Sequence, residues 1–458
     1  MTYSNTEERL SELDGKQHST PSTPDHSDKA DTPKKRKTSV VVLYNHVGED
    51  PYEKLKDVDL TKLEFKPEYP INVSTITEEY EDIVKALRRA GYRARAVNLN
   101  NDLKRLERIL RRSRPDVIFN LVEFFHDDAE LETAVAAVFD LYRIPYTGSP
   151  PFALGLCLRK GITKRVLQDH GVPTPRFKIL YEPKVPKRLG LKYPLIVKPA
   201  WEDASSGLDK NSVIRDPENP QLLVDQVNRI YAEYGPVLIE EFIEGRELHI
   251  SVWGNEDPEI LPPVEFDFSK LPPDHPPIIS YAMKWNPLEE IYHRVDTICP
   301  APLEEKVLRR IETVVIRAYE ATECCDYARL DIRLKDGKPY VLEVNPNPDL
   351  TEGVSFMDSA EQAGYTFSEA LAQIAEFALE RKPEPKPAHP THAEIRHPEV
   401  GPPRPTPPKT EDPIVSSLRE LGVHEYEGPQ PGSDAPPEEG DHAPSEHVAN
   451  PEPSKEAT

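Results

Sequence analysis

The sequence is poor in cysteine, with four in 458 residues, and none of them belongs to a CxxC pair. Cys157, Cys299, Cys324 and Cys325 do not have the spacing of a zinc site, and the adjacent Cys324 and Cys325 cannot easily join in an ordinary disulfide. A GxGxxG pattern is also absent from the first turn, which excludes a dinucleotide fingerprint there. We therefore expect reduced thiols in a cytoplasmic protein.

Long apolar runs and an excess of basic residues are absent as well. No run approaches the about 20 apolar residues that span a bilayer, and the N-terminal MTYSNTEERL lacks the apolar region of a secretory signal. Because the formal net charge is −23, we expect no nucleic-acid partner. The short basic run at 34–37 is predicted to be a solvated linker.

Hydrophobic residues make up only 37% of the chain, and the deficit lies at its two ends. Polar and charged residues dominate 1–37, and residues 383–458 contain 18 prolines with few aliphatic side chains. Neither segment buries enough apolar surface to offset the entropy lost on ordering. Both are predicted to be disordered tails. Within the second, Ser416–Leu421 has the pattern of a helical turn, for which transient structure is favoured over a docking motif.

Strand and helix patterns alternate after the first tail. The apolar run Ser39–Tyr44 predicts a buried strand, and Thr75 with Glu78 forms the capping-box signature of a helix over 76–90. The β-α-β-α-β order predicts a parallel sheet covered by helices. The other predicted elements are strands over 92–98, 116–121, 194–199, 236–243, 247–253, 326–335 and 339–345, and helices over 101–112, 129–142, 160–170, 219–232, 303–322 and 367–381.

The most informative segment is the strand pair that contains ARLDIRL and YVLEVNPNP. Because side chains alternate along a strand, Arg329 and Asp331 share one face, as do Glu343 and Asn345. A three-residue loop at 336–338 places Asp331 opposite Glu343 and Arg329 opposite Asn345. Opposed carboxylates destabilise a bare sheet, and a divalent cation removes that cost.

Oxygen ligands from Asp331, Glu343 and Asn345 suit Mg²⁺, which also keeps water and substrate phosphate oxygens. Arg329 would then steady a transferring phosphoryl group. The alternative is a solvated hairpin face with a salt bridge to Arg329. A change of register by one residue would put the two carboxylates on opposite faces.

Two other segments place charges at the ends of apolar strands. Lys198 precedes a loop of small residues, including Ser205 and Ser206, whose backbone could approach phosphates closely. Glu240 and Glu241 follow the next apolar strand, where ribose hydroxyls or an adenine amino group are suitable partners. The alternatives are a snorkelling lysine beside a surface turn and an edge strand with solvated carboxylates.

Together these segments resemble the ATP-grasp superfamily, specifically its D-alanine–D-alanine ligase-like branch. The matching segments occur in the family's order and are IPYTGSP (144–150), KGITKRVLQDHGVPTP (160–175), LIVKPA (195–200), VLIEEFIEGREL (237–248), ARLDIRL (328–334) and LEVNPNPDLTEG (342–353). The resemblance implies an α/β fold, α+β in part. Its predicted parts are an N-terminal parallel-sheet domain at 38–145, an ATP-grasp subdomain at 146–255 and a metal-binding subdomain at 256–382.

The resemblance implies a nucleotide site. Lys160 and Lys198 are similar in position to the two lysines that contact ATP phosphates. Glu240 and Ile243 occupy the positions that hold adenine, and Glu247 that of the ribose-binding carboxylate.

The resemblance also implies a metal site and two catalytic residues. Lys284 stands where the family has a further phosphate-contacting lysine, and Arg329 matches the arginine that stabilises the acyl-phosphate step. Asp331, Glu343 and Asn345 match the magnesium ligands. The implied cofactors are ATP and Mg²⁺, with two ions expected and Mn²⁺ as an alternative metal.

The sequence departs from the family on the amino-acid side. The Gly-Gly-x-Ser-x-Glu segment, whose glutamate holds the first substrate's ammonium, is absent, and Glu78 or Glu79 is the candidate replacement. Ala204 stands at the position of a phosphate-loop serine. Asn347 and Asp349 replace small residues near the second substrate.

The implied activity is ATP-dependent ligation of a carboxylate to an amine through an acyl phosphate. Amino acids or small carboxylates and amines are the expected substrates, and homodimers are common in the family. Since an acyl phosphate hydrolyses readily, Asp267–Trp285 is predicted to close over the site. His249 and His293 are assigned no role. The alternatives are a ligase for other amino acids or peptides, and a nucleotide-binding protein without ligase turnover.

Overall fold

The computed structural model describes residues 36–50, 52–58, 63, 65, 74–202 and 205–381. The predicted N-terminal parallel sheet is confirmed, with β1 (Ser39–Tyr44) between β2 (Arg93–Asn98) and β3 (Val117–Leu121). Alternate residues of β1 enter two different apolar clusters, one on each face of the sheet. The uninterrupted apolar run of β1 follows from this burial on both faces.

Helices cover both faces of this sheet. On one face, α1 (Ile76–Arg89) and α10 (Phe367–Glu380) share an apolar cluster with β1, and on the other face α2 (Leu103–Arg108) and α3 (Glu130–Tyr142) do so. The predicted capping box is confirmed: Glu78 N donates to Thr75 Oγ1, and Glu78 Oε2 accepts from Thr75 N. The predicted helix at 101–112 instead ends as a π-helical turn at Ile109–Ser113.

The second sheet is antiparallel and has four strands. Its order is β4 (Phe177–Leu180), β7 (Val237–Glu241), β5 (Leu195–Pro199) and β6 (Val213–Ile214). Helix α6 (Pro220–Tyr234) packs on it through an apolar cluster.

The third sheet has six strands and contains the predicted metal-binding segment. Its path is β11 (Asp296–Ile298), β10 (Val264–Asp267), β8 (Arg246–Trp253), β12 (Tyr327–Lys335) and β13 (Lys338–Asn345), and the short β9 (Glu259–Ile260) pairs with β8. Helix α8 (Glu305–Ala321) covers one face. Strand β8 belongs to this sheet, although it lies before residue 255, the predicted end of the preceding subdomain. The predicted domain limits stay predictions.

Three further helices are not predicted from the sequence: α4 (Pro151–Leu158), α7 (Tyr281–Trp285) and α9 (Ser355–Gln362). Helix α4 is apolar on all sides and therefore lacks the helical periodicity that reveals an amphipathic helix. It leads into α5 (Lys160–Asp169), and single 3₁₀ turns lie at Glu53–Asp57 and Glu290–Arg294.

Most of both predicted tails, including Ser416–Leu421, lies outside the described residues, as does Ala204. Among the helices that are described, none has the length and apolar character required to cross a membrane.

Candidate active site

A cleft of about 940 Å³ is lined by residues of the four-stranded and six-stranded sheets. All but one of the predicted site residues contribute to its lining, namely Lys160, Lys198, Ser205, Ser206, Glu240, Glu241, Ile243, Glu247, Lys284, Arg329, Asp331 and Glu343. The exception is Asn345. The structure therefore gathers residues that are up to 183 positions apart, from Lys160 to Glu343, around one cavity.

The two predicted carboxylates meet on adjacent strands. Asp331 of β12 lies opposite Glu343 of β13, and Arg329 lies opposite Asn345, so both predicted pairings are confirmed. The Arg329 guanidinium donates to both oxygens of Asp331, with Nε 2.7 Å from Oδ1 and Nη2 3.1 Å from Oδ2. The carboxamide nitrogen of Asn345 is buried without a hydrogen-bond partner among the residues that are described.

The route to this register differs from the prediction. Lys335 pairs with Lys338, so the hairpin has a two-residue turn and the predicted three-residue loop is wrong. A β-bulge compensates, because Leu342 has no residue opposite it while Asp331 still pairs with Glu343. Without that extra residue, a two-residue turn would put the carboxylates out of register.

The local charges set the protonation of this pair. Burial raises the pKa of Asp331; Arg329 opposes that shift and Glu343 adds to it. Burial alone would also raise the pKa of Glu343, but the positive charges of Lys160 and Lys198 outweigh it and hold that pKa well below its usual value. Lys160 Nζ lies 3.2 Å from Glu343 Oε2. The surrounding charges thus shift the pKa values of the two carboxyls in opposite directions.

The carboxylates of Asp331 and Glu343 suit a divalent cation that takes its other ligands from the substrate and from water. Two adjacent carboxylates carry a repulsion that a cation would relieve, and oxygen is the ligand type that Mg²⁺ prefers. No group of three or more His, Cys, Asp and Glu side chains suited to a metal occurs within the described ranges. An ion at Asp331 and Glu343 would therefore need phosphate oxygens and water as further ligands.

A buried lysine that sequence reasoning missed lies beside the predicted ones. Lys164 Nζ is 2.6 Å from Glu240 Oε1, and Lys198 Nζ is 3.0 Å from Glu240 Oε2. Lys164 also donates to Thr174 Oγ1 at 3.0 Å and to the carbonyl of the bulge residue Leu342 at 2.7 Å. Glu240 is thereby held between two cations at the base of the cleft.

Glu240 and Glu241 lie on opposite faces of β7, as strand alternation requires. While Glu240 is buried, the Glu241 carboxylate accepts from the Lys192 backbone at 2.9 Å and pairs with Arg176 at 3.2 Å. Of the two, Glu240 is the one joined to the lysines of the cleft.

Glu247 and Lys284 border the cleft from other elements. Glu247 is buried in β8 and pairs with Arg333 at 2.5 Å; burial raises its pKa against the opposing charge of Arg333. The Lys284 ammonium lies 4.9 Å from the centre of the Trp285 ring, and burial, together with Arg329, lowers its pKa.

His249 lines the cleft, although sequence reasoning gave it no role. Its Nε2 lies 3.4 Å from Asp331 Oδ1, and its Nδ1 lies 2.8 Å from Ser355 Oγ. Strand register is the signal that could have identified it, since His249 pairs directly with Asp331 across β8 and β12. His293, by contrast, is buried with a ring nitrogen 3.0 Å from the Pro287 carbonyl.

The residues that depart from the family pattern occupy different settings. Glu78 is engaged in its capping box and with Lys56 at 2.8 Å. Glu79 is partly buried near Asp349, which lines the cleft. Asn347 accepts from the Tyr327 hydroxyl at 2.5 Å and is thus occupied by the protein itself.

Comparisons with known proteins identify relatives of this chain. The sequence model of the family described as "D-ala D-ala ligase C-terminus" matches residues 166–376. The chain is 34% identical over 266 residues to the uncharacterized protein y4sG of Sinorhizobium fredii. This match covers 58% of this chain and 75% of that protein. It is 30% identical over 307 residues to a D-alanine–D-alanine ligase of Syntrophotalea carbinolica, covering 66% of this chain and 90% of that enzyme.

Solved structures give the same fold. The crystal structure of the D-alanine–D-alanine ligase of Bacillus anthracis in complex with ATP superposes with a TM-score of 0.55 at 21% sequence identity. The match covers 75% of this chain and 98% of that one.

Proposed function

The chain belongs to the D-alanine–D-alanine ligase-like branch of the ATP-grasp superfamily, and from this membership we propose how its cleft performs catalysis. It is an ATP-dependent carboxylate–amine ligase that forms an amide bond. In our proposal, a substrate carboxylate attacks the γ-phosphorus of ATP, releasing ADP and forming an acyl phosphate. An amine then attacks the acyl carbon, and phosphate leaves as the amide forms.

This chemistry requires positioning and charge neutralisation more than a protein nucleophile. The single observation that carries the proposal is that Asp331 and Glu343 line the same cleft as the cations Lys160, Lys198 and Arg329. Lys160 and Lys198 would bind the phosphates, because both are cations that line the cleft. Arg329 would neutralise charge on the phosphoryl group during transfer.

The nucleotide would occupy the end of the cleft formed by β7 and the loop after β5. Ile243 would contact adenine, Glu240 would anchor its amino group, and Glu247 would accept hydrogen bonds from the ribose hydroxyls. Ser205 and Ser206 would offer backbone donors to the phosphates. Lys284 would reach the phosphates from α7, within the segment that we propose closes over the site.

Asp331 and Glu343 would hold Mg²⁺, with Asn345 as a further ligand after its carboxamide turns. When bound, the ion neutralises phosphate charge and orients the transferring group. We propose two ions, with Mn²⁺ as an alternative. The same proposal includes the predicted subdomain limits, a cytoplasmic location and a homodimer.

The substrates that we propose are amino acids, with Glu79 as the acceptor for a substrate ammonium group. Asp349 supports a preference that differs from that of the D-alanine ligases, because it adds a carboxylate to the cleft where those enzymes have a small residue.

Release of ADP from ATP and Mg²⁺ tests this function directly. D- and L-amino acids, singly and in pairs, should stimulate release, and a product mass equal to the two substrates minus water should accompany it. If no amino acid raises ADP release above background, the ligase proposal fails for this substrate class, and nucleotide binding without turnover gains support.

Glu343→Gln tests the metal and phosphate site. We expect turnover to fall about a hundredfold or more with the fold intact, because metal ligands matter at least as much as their outer-shell partners. The control is Glu352→Gln, which neutralises an exposed glutamate outside the cleft lining. Equal activity of the two variants would refute the assignment.

A further inference from the structure

Arg333 is a charged residue with only 2% of its surface exposed, on the strand that carries Arg329 and Asp331. Its Nη2 lies 2.5 Å from Glu247 Oε2, and its Nη1 donates to the Gly245 carbonyl at 2.9 Å. It also donates to the carbonyl of Pro277. One guanidinium therefore joins β12, the turn before β8 and the segment that we propose closes over the cleft.

Two aromatic rings flank the same group. The Arg333 guanidinium carbon lies 4.9 Å from the centre of the Phe242 ring and 5.8 Å from that of Phe268. Stacking on aromatic faces and a rigid fork of donors are properties that arginine has and lysine lacks. The site is thus built for a guanidinium in one orientation.

This arrangement fixes Glu247. The glutamate is 8% exposed and lines the cleft. With one oxygen bound to Arg333, its other oxygen and remaining lone pairs are restricted to directions set by the guanidinium. A carboxylate held in this way recognises a pair of hydroxyls better than a freely rotating one, since less side-chain entropy is lost on binding.

We propose that Arg333 is a positioning residue for nucleotide selectivity, which orients Glu247 toward the ribose hydroxyls and ties this contact to the 268–277 segment. The inference rests on the proposed function, specifically on Glu247 as the ribose-binding carboxylate. In this proposal Arg333, which also lines the cleft, acts through Glu247.

The test compares the dissociation constants of ATP and 2′,3′-dideoxy-ATP, measured with Mg²⁺ on the full chain. Wild-type protein should prefer ATP by about tenfold or more, the value of a hydrogen bond to a charged group. Arg333→Met and Glu247→Gln should each bring the ratio close to one, and combining them should cause no further change. Arg333→Lys should restore it only in part, because lysine lacks the planar fork.

The ratio reports positioning, since a misfolded fraction lowers the amount of binding protein without altering the ratio of two dissociation constants. If Arg333→Met does not fold, Arg333→Lys gives the answer, because it keeps a cation beside the buried Glu247 but lacks the planar fork of donors, and a ratio below that of wild type supports the positioning role. Arg310→Met is the control, because this exposed arginine also donates to a backbone carbonyl, that of Gly337. It should keep the wild-type ratio.

Two results would overturn the inference, and they are distinguishable. If Glu247→Gln loses the preference for ATP while Arg333→Lys and the folded Arg333→Met keep it, Arg333 has no positioning role and the proposed function stands. If wild-type protein shows no preference for ATP, the assignment of Glu247 fails together with the inference.

Discussion

Glu78 and Glu79 are adjacent in the sequence but lie in opposite electrostatic settings. The hydrogen bonds of Glu78 with Lys56 and Thr75 lower its pKa to about 2. Burial, reinforced by the negative charge of Asp349, raises the pKa of Glu79 to about 7. The sequence proposed either residue as the replacement for the family's ammonium-binding glutamate. Only Glu79 has a carboxylate that is not already engaged in a helix cap and an ion pair.

These shifts predict opposite effects of pH on stability. Because the folded-state pKa of Glu79 is raised, its ionisation opposes folding, and stability falls as pH rises from about 4.5 to 7. We expect Glu79→Gln to raise the free energy of unfolding at pH 8 relative to wild type and to leave it nearly unchanged at pH 4.5. Urea denaturation at the two pH values measures this difference.

Glu78→Gln is the matched comparison. The folded-state pKa of Glu78 is lowered, so its contribution to stability is present above about pH 4.5 and is lost as pH falls toward 2. The substitution should therefore destabilise at pH 8, more weakly at high salt because the group is exposed. If both variants shift stability in the same direction at pH 8, the description of this helix end is wrong.

Lys164 shows what the sequence could not reveal about single residues. It follows Lys160 by four positions, a spacing that places both on one face of a helix. Nothing local indicates that its partner is Glu240, which lies 76 positions further along, in strand β7 of the four-stranded sheet. The family resemblance identified the residues expected to contact the nucleotide. It did not identify Lys164, which pairs with one of them, Glu240.

Lys164→Met should lower the free energy of unfolding by about 1.5–3 kcal/mol, the value of a hydrogen bond to a charged group. Glu240 would keep only Lys198 as a partner, and the Leu342 carbonyl would lose its donor. Lys306→Met, at an exposed site on α8, should stay within about 0.5 kcal/mol. Chemical denaturation measures both, and equal losses would contradict a structural role for the buried lysine.

The β12–β13 hairpin shows how far local patterns determine an element. Alternation correctly predicted which side chains share a face, and the pairing of Asp331 with Glu343 was right. The predicted turn was one residue too long. The unpaired bulge residue Leu342 restores the predicted pairing of Asp331 with Glu343. The carbonyl of the bulge residue accepts a hydrogen bond from Lys164, a long-range contact that the sequence of the hairpin does not reveal.

The turn itself can be tested through Gly337. Asp336 and Gly337 both have positive φ, 50° and 67°, as expected of an Asp-Gly hairpin turn. An added Cβ at Gly337 would meet no atom closer than 3.7 Å, so Gly337→Ala introduces backbone strain without a clash. We expect a loss of about 1–2 kcal/mol in the free energy of unfolding. Gly337→Asn should cost less, because asparagine tolerates this conformation, and a larger loss than for alanine would contradict this account.

At the scale of the part of the chain that the structure describes, strands and helices were predictable from the sequence, but which strands share a sheet was not. The predicted strands on either side of Gly245 are close in sequence, yet β7 and β8 belong to different sheets. A Cβ at Gly245 would lie 2.3 Å from the Leu334 carbonyl oxygen, so the backbone crosses between sheets where only glycine fits. Which strands pair with each other is determined by packing between segments that are far apart in the sequence. A short stretch of sequence does not contain this information.

The end of α10 is joined to two distant parts of the chain by a single, partly buried ion pair. Arg381 Nη2 lies 2.7 Å from Asp326 Oδ2 and donates to the carbonyls of Tyr146 and Gly148, each at 2.9 Å. Asp326 is fully buried, and its Oδ2 also accepts from the Gly148 backbone. The pair therefore fixes the start of β12, the connection before α4 and the last described helix in one place.

Arg381→Met should leave the Asp326 carboxylate buried without its cation, at a cost of about 3–5 kcal/mol in the free energy of unfolding. Burial already raises the pKa of Asp326 against the opposing charge of Arg381, and removal of that charge raises it further. The loss should therefore grow with pH, because only the ionised carboxylate lacks a partner. Adding Asp326→Asn should remove the pH dependence and recover part of the stability. Urea denaturation of both variants at pH 5 and 8 measures this, and a pH-independent loss in the single variant would show that the arginine acts through its carbonyl contacts alone.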